Sequence, residues 1–183
     1  MATLTGTAMG SRHVALLRGI NVGRAKRVAM ADLRALLEDL GYRDCRTLLN
    51  SGNVVFTGVG QPKSIAARIE RALPAKLGVS SRVTVLRGAE FSAVVKECSL
   101  KTAADPTRLL VAFLTNPADR TRLRPLARQD WKPEAFALGS RAAYLWCPPG
   151  VLESRLPEAV GKVLGEAITT RNWATVMKIH ALL

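Results

Sequence analysis

Two short polar stretches concentrate the hydrogen-bonding groups of this chain. The first, Leu16-Leu17-Arg18-Gly19-Ile20-Asn21-Val22-Gly23, joins an apolar run to a loop holding a guanidinium, an amide and two glycines. The second, Asn50-Ser51-Gly52-Asn53, is a polar turn between two apolar runs. Arg18 offers a planar fork of donors that fits carboxylate or phosphate. Gly19 and Gly23 let backbone N–H groups come close to a ligand. Asn21, Asn50 and Asn53 both donate and accept, and Ser51 adds a hydroxyl. Arg24, Lys26 and Arg27 extend a positive rim. A glycine loop ahead of a helix can hold phosphate on its amides. The spacing here is neither GxGxxG nor GxxxxGK(S/T), so it is no nucleotide fingerprint. The chemistry on offer is anion recognition. The competing reading is structural: glycines that turn the chain, asparagines that cap a hairpin, and Arg18 paired with a carboxylate.

Other chemistries find little support. His13 and His180 are the only histidines, and Ser51 has none in its sequence context to activate it. The acidic residues show no metal-ligand grouping. Cys45, Cys98 and Cys147 are odd in number, widely spaced and without a CxxC pair, which reads as reduced thiols rather than a disulfide framework or a zinc site. Neither a metal nor a cofactor is expected. The formal net charge is +13, and it is spread along the chain without a basic block. A spread positive field favours anionic partners. A nucleic-acid-binding module is therefore the alternative reading, with Phe56, Phe113, Tyr144 and Trp146 as strand aromatics that would stack on bases. Aromatic residues make up only 5% of the chain, thin for such a surface. A third reading is a structural or adaptor protein, monomeric or homodimeric through an exposed sheet edge. Arg120, Arg124 and Arg128 read as a solvated face.

The elements that must position the two stretches follow from hydrophobic period. The chain has 183 residues, enough to bury about 70% of its unfolded surface without a staple. Residues 1–11 lack the basic start and apolar core of a signal peptide and read as a disordered leader. No apolar run approaches the ~20 residues of a membrane span, so a cytoplasmic protein with no membrane partner is expected. His13 to Leu17 does not alternate and reads as a central strand covered on both faces. Met30, Leu33, Leu36, Leu37 and Leu40 form a helical stripe that Gly41 ends. Cys45–Leu49 and Asn53–Thr57 read as a hairpin about Ser51-Gly52. A helix begins at Pro62 and carries Ile65, Ile69, Leu73 and Leu77, with a kink or restart expected at Pro74. Arg82–Leu86 alternates like a half-exposed strand, and Phe91, Val94, Val95 and Cys98 mark another helix. Strand, helix, strand, strand, helix, strand is the order of a ferredoxin-like half. In its antiparallel sheet the first two strands run parallel. The loop after Leu17 and the turn 50–53 therefore land on one edge, with Gly78–Ser81 beside them.

Ser99–Pro106 is the candidate boundary, dividing an N-terminal α/β subdomain over 12–104 from a C-terminal one over 105–183. The second half reads as a strand over Arg108–Leu114 and a helix start at Asn116-Pro117. A hairpin about Gly139-Ser140 follows, and Pro148-Pro149-Gly150 ends it. Ser154 is placed to cap a helix to Leu164. Thr169-Thr170-Arg171-Asn172 is polar, and Trp173–Leu183 is an amphipathic helix. The halves share a pattern but no defensible sequence repeat.

The segments ALLRGINVG (Ala15–Gly23), SGNVVF (Ser51–Phe56) and TRNWAT (Thr170–Thr175), in that order, resemble the domain of unknown function 1697 family, a bacterial family with no assigned activity. The resemblance covers nearly all of 13–182, and Met30 and Ser154-Arg155-Leu156 also fit. It departs at Asn50, where Gln is usual, and over 150–153, where a second glycine is expected. The resemblance implies an α+β fold of two ferredoxin-like (βαββαβ-type) subdomains plus a C-terminal helix. It implies no substrate and leaves open whether the protein is an enzyme. It also directs attention to Arg171, Asn172, Trp173 and Thr175. Trp173 reads as a core anchor, and Arg171 and Asn172 read as cleft residues. The expected site is a cleft for a small anionic or phosphorylated ligand, with Arg18, Gly19, Asn21, Gly23, Ser51, Asn53, Arg171 and Asn172 as its ligand-binding residues.

Overall fold

The structure is a computed structural model and describes residues 10–23, 26–100 and 105–183. Most of the expected leader, Arg24 of the positive rim and part of the expected boundary lie outside the described residues.

Each half builds one four-stranded antiparallel sheet. The first contains β1 (Ser11–Leu17), β2 (Arg43–Leu48), β3 (Asn53–Gly58) and β4 (Val83–Arg87), in the order β2-β3-β1-β4. The second contains β5 (Leu109–Leu114), β6 (Ala135–Leu138), β7 (Ala142–Trp146) and β8 (Ile168–Asn172), in the corresponding order β6-β7-β5-β8. β1 and β2 both pair antiparallel with β3, so they run parallel to each other and end at the same edge. β1 begins at Ser11, opposite Gly58, earlier than its apolar run suggests.

Helices α1 (Met30–Asp39) and α2 (Pro62–Leu77) cover one face of the first sheet, where Ala15, Leu17, Val54 and Phe56 meet Leu33, Leu37, Ile65 and Ile69. α2 runs through Pro74 rather than restarting there. Pro74 lies in the last turn, where only one intrahelical bond is lost, and Gly78, at φ +66°, closes the helix through the Pro74 carbonyl.

The other face of β1 carries Val14 and Leu16. They join a central cluster with Leu109, Val111 and Phe113 of β5, filled by α3 (Gly88–Glu97) and α6 (Trp173–His180). α3 lies on β1 and β4, α6 lies on β5 and β8, and the two helices pack on each other. Phe91 stacks on Phe113 at 5.3 Å, and the Tyr144 hydroxyl donates to the Val94 carbonyl at 2.7 Å. The two halves therefore share one core. A third cluster packs α5 (Arg155–Leu164) on the outer face of the second sheet. α4 is short (Arg120–Leu123), and a separate 3-10 turn holds Leu126–Arg128, so Pro125 splits the arginine series.

Three local expectations change. β4 is buried over Val83–Leu86 instead of half-exposed, because Thr84 turns to the second sheet. Ser154 does not cap α5. Its hydroxyl donates to the Gly150 carbonyl, and the Glu134 carboxylate accepts from the Arg155 and Leu156 amides instead. The polar segment before Trp173 is strand β8.

None of the three cysteines forms a disulfide, and all are buried. Burial pushes the Cys45 thiol up to about 11 and raises Cys147 too. No helix among the described residues is long and apolar enough to cross a membrane.

Candidate functional site

The residue after β1 is fixed from two sides. The Leu17 amide donates to the Gly52 carbonyl of the β2–β3 turn at 2.9 Å, and the Arg18 amide donates to the Arg82 carbonyl at 2.9 Å and to Ser81 Oγ at 3.0 Å. Ser81 Oγ returns a bond to the Arg18 carbonyl at 2.9 Å. This clamp aims the Arg18 side chain across to the second half, where Nη1 donates to the Ile168 carbonyl at the start of β8, 2.6 Å away. Gly52, at φ +75°, has no room for a side chain: a Cβ there would meet Ile20 Cδ1 at 2.6 Å and Leu17 Cβ at 2.8 Å.

β8 supplies the other wall. Alternation along a strand puts Thr169 and Arg171 on one face, and that face meets the first half. Thr169 Oγ1 lies 3.3 Å from Thr84 Oγ1 of β4. Arg171 reaches further, and the residue is only 9% exposed. Nε donates to Asn53 Oδ1 at 2.5 Å, and Nη1 donates to the Thr170 carbonyl at 2.8 Å. Nη2 donates to the carbonyls of Leu17 and Ser51, both at 2.8 Å. Neither Arg171 nor Arg18 forms an ion pair among the described residues. Burial without a counter-charge pushes Arg171 down to about 10.

Between these walls is an open cleft of about 480 Å³, within the usual range of small-molecule sites, roughly 300–1,000 Å³. Of the expected site residues, Arg18, Gly19, Ser51, Arg171 and Asn172 line it. Asn53 does not. It is fully buried beneath the cleft, where its Nδ2 donates to the Leu48 carbonyl at 2.8 Å and to Ser51 Oγ at 2.9 Å. Asn21, at φ +55°, braces its own loop: its side chain bonds the Val28 carbonyl at 2.9 Å, the Val28 amide at 2.8 Å and the Asn50 carbonyl at 2.8 Å. Gly23 is exposed at φ +60° and is not part of the lining.

Ile20, Val22, Thr169, Thr170 and Thr175 also line the cleft. No sequence signal marks Thr169 and Thr170, because the polar run ITTRN shows no hydrophobic alternation to identify it as a strand. Asn172 has a second duty, because its Oδ1 caps α6 by accepting from the Thr175 amide at 2.9 Å.

A comparable groove of about 490 Å³ follows the outer side of β4. Three of its four cations have partners, Arg82 with Glu70, Arg141 with Glu90 and Arg87 with the Gln61 amide oxygen, and the fourth is Lys63; Glu70 and Glu90 put two carboxylates in its lining. Of the strand aromatics, Phe56, Phe113 and Tyr144 are buried in the cores, away from any surface where a base would stack. Among the described residues no cluster of histidine, cysteine or carboxylate groups could hold a metal ion.

Fold and site together define an α+β protein of two four-stranded antiparallel sheets, with a cationic cleft at their seam. The chain belongs to the DUF1697 family of proteins of unknown function, whose model matches residues 10–144. That match takes in both polar turns of the first half and stops before β8. No curated protein in the comparison matches. Among solved structures, a conserved bacterial protein from Streptococcus pneumoniae superposes with a TM-score of 0.78 at 24% sequence identity, covering 95% of this chain and 98% of that one. This likeness is one of fold.

Proposed function

We propose that this protein binds a small anionic ligand in the cleft between the loop after β1, the β2–β3 turn and β8. The observation that carries the reading is the pair of guanidinium groups, one of them buried, that reach the cleft without a carboxylate partner. A buried charge without a counter-charge costs several kcal/mol, and an anion in the cleft offsets that cost. The lining residues bring no carboxylate, imidazole, thiol or amine, so their chemistry is recognition by hydrogen-bond donors. The matching strand orders support reading each half, 12–104 and 105–183, as a ferredoxin-like subdomain.

The test is thermal denaturation with a panel of carboxylate, sulfate and phosphate compounds. Ligand at one hundred times its dissociation constant adds about 2.7 kcal/mol, which for a chain of this size raises Tm by roughly 5–10 °C. Arg18→Ala keeps the fold, since Arg18 follows the strand, but loses most of that rise. Arg18→Lys recovers part of it, because an ammonium makes no bidentate contact. If no anion shifts the wild type and Arg18→Ala melts lower on its own, Arg18 is a structural residue and the cleft reading fails.

A further inference from the structure

We infer that the anion is a phosphoryl dianion, a phosphate monoester of a small organic group, and that Ser51 is the hydroxyl that recognises it. This rests on the reading of the cleft as an anion site.

Charge comes first. Two guanidinium groups without carboxylate partners match a group carrying about −2, and a phosphate monoester has roughly that charge at neutral pH. A carboxylate supplies half of it.

Donor geometry points the same way. Asn53 is held in one orientation, because its Oδ1 accepts from Arg171 Nε and its Nδ2 donates to the Leu48 carbonyl and to Ser51 Oγ. Ser51 Oγ is thus already an acceptor, and its own proton has no protein acceptor among the described residues. The result is a chain of donors from Arg171 through Asn53 to Ser51. Its links polarise one another and strengthen the last hydroxyl as a donor to an anion. Of the five guanidinium N–H bonds of Arg171, four are spent on protein oxygens and one Nη1 hydrogen remains. Arg18 spends one on Ile168 and keeps the rest. These donors come from three elements: the loop after β1, the β2–β3 turn and β8. A tetrahedral group with three terminal oxygens can accept from three directions, whereas a planar carboxylate is satisfied by one fork. The one side-chain amide oxygen of the lining, that of Asn172, is occupied by the Thr175 amide. Ile20 and Val22 leave an apolar wall for the ester's organic part.

The charged groups near the cleft are Arg18 and Arg171, then Arg82 with Glu70 and Glu166 beyond Ile168, and Lys26 and Arg27 in the loop. The histidines are elsewhere, His13 opposite Phe56 and His180 on Ser92. The pH dependence of binding therefore follows the ligand. Phenyl phosphate, sulfate and benzoate serve as probes of the full chain by titration calorimetry at pH 7.5 and pH 5.0. With a second pKa of about 6, the phosphoryl dianion is about tenfold scarcer at the lower pH. Phenyl phosphate is expected to bind about tenfold more weakly there, while sulfate binds equally at both and benzoate binds far more weakly throughout. Ser51→Ala also removes one acceptor of the buried Asn53 amide, so Tm should fall by a few degrees, while phenyl phosphate should bind at least tenfold more weakly at a temperature where the variant is folded. If benzoate binds as well as phenyl phosphate, or Ser51→Ala binds like wild type, the site takes anions but the phosphoryl assignment is overturned. Sulfate binding that falls with pH overturns it too, since the protein would then be titrating. If none of the three binds, the anion reading itself fails.

Discussion

Arg171 carries a charge into the seam between the two sheets and holds it there with neutral oxygens. Arg171→Met keeps most of the volume but leaves three carbonyls and the Asn53 amide oxygen without their donor. At roughly 1–3 kcal/mol for each unsatisfied buried group, partly relieved by removing the desolvated charge, a net loss of about 3 kcal/mol is expected. Calorimetry should show it as a Tm lower by about 6–12 °C. His13 poses a separate residue-scale question. Burial lowers its pKa first, with the Ser11 carbonyl and Glu90 opposing and Arg87 adding to it. Its Nε2 is buried without a partner, and its ring stacks on Phe56 at 5.5 Å. Because the folded pKa lies below the ordinary ~6.5, the unfolded chain takes up this proton first. The contribution of His13 to stability is complete above that pH and declines as pH falls through and below it. Tm measured from pH 7 down to pH 5 should decline in the wild type, and His13→Phe should flatten that decline. An equal slope in both would assign it to other groups.

At the scale of elements, the hairpin turn shows what sequence makes visible. Asn50-Ser51-Gly52-Asn53 reads directly as a turn, and its nearness to Arg18 follows from strand order alone. That order cannot reveal why Gly52 is glycine. It combines a positive φ with direct contact on Leu17 and Ile20. Gly52→Ala adds backbone strain of about 1–2 kcal/mol and a clash with both neighbours. It should lower Tm by roughly 4–8 °C and disturb the cleft. Gly19→Ala, at φ +64° with open space around it, carries the strain alone and should cost less. If the two variants melt alike, packing at Gly52 is not the constraint. β8 was illegible for a related reason. Its inward positions are Thr169 and Arg171, polar groups partnered across the seam, so no hydrophobic alternation marks the strand. β4 misleads similarly, since Thr84 looks solvent-facing in sequence but is buried, where it meets Thr169 of the second sheet and the hydroxyl of Thr115 at the seam's edge. The cap of α5 comes from Glu134, far back in the chain, where local motifs give no hint.

Across the whole molecule, the two sheets meet twice: through the apolar cluster around α3 and α6, and through the polar seam of β4 and β8. The cleft opens where the seam reaches the surface, so neither half owns the site. This is why Asn53, expected to touch the ligand, instead fixes the Arg171 group that does face the cleft. The net charge of +13 draws anions toward the whole surface, and only a built site should hold one in a fixed place. A crystal of the full chain soaked in selenate, a tetrahedral dianion with an anomalous signal, tests this directly. An anomalous peak is expected in the cleft, within hydrogen-bonding distance of the guanidinium nitrogens of both Arg18 and Arg171. Selenate peaks confined to exposed surface arginines, with the cleft blank, would contradict it.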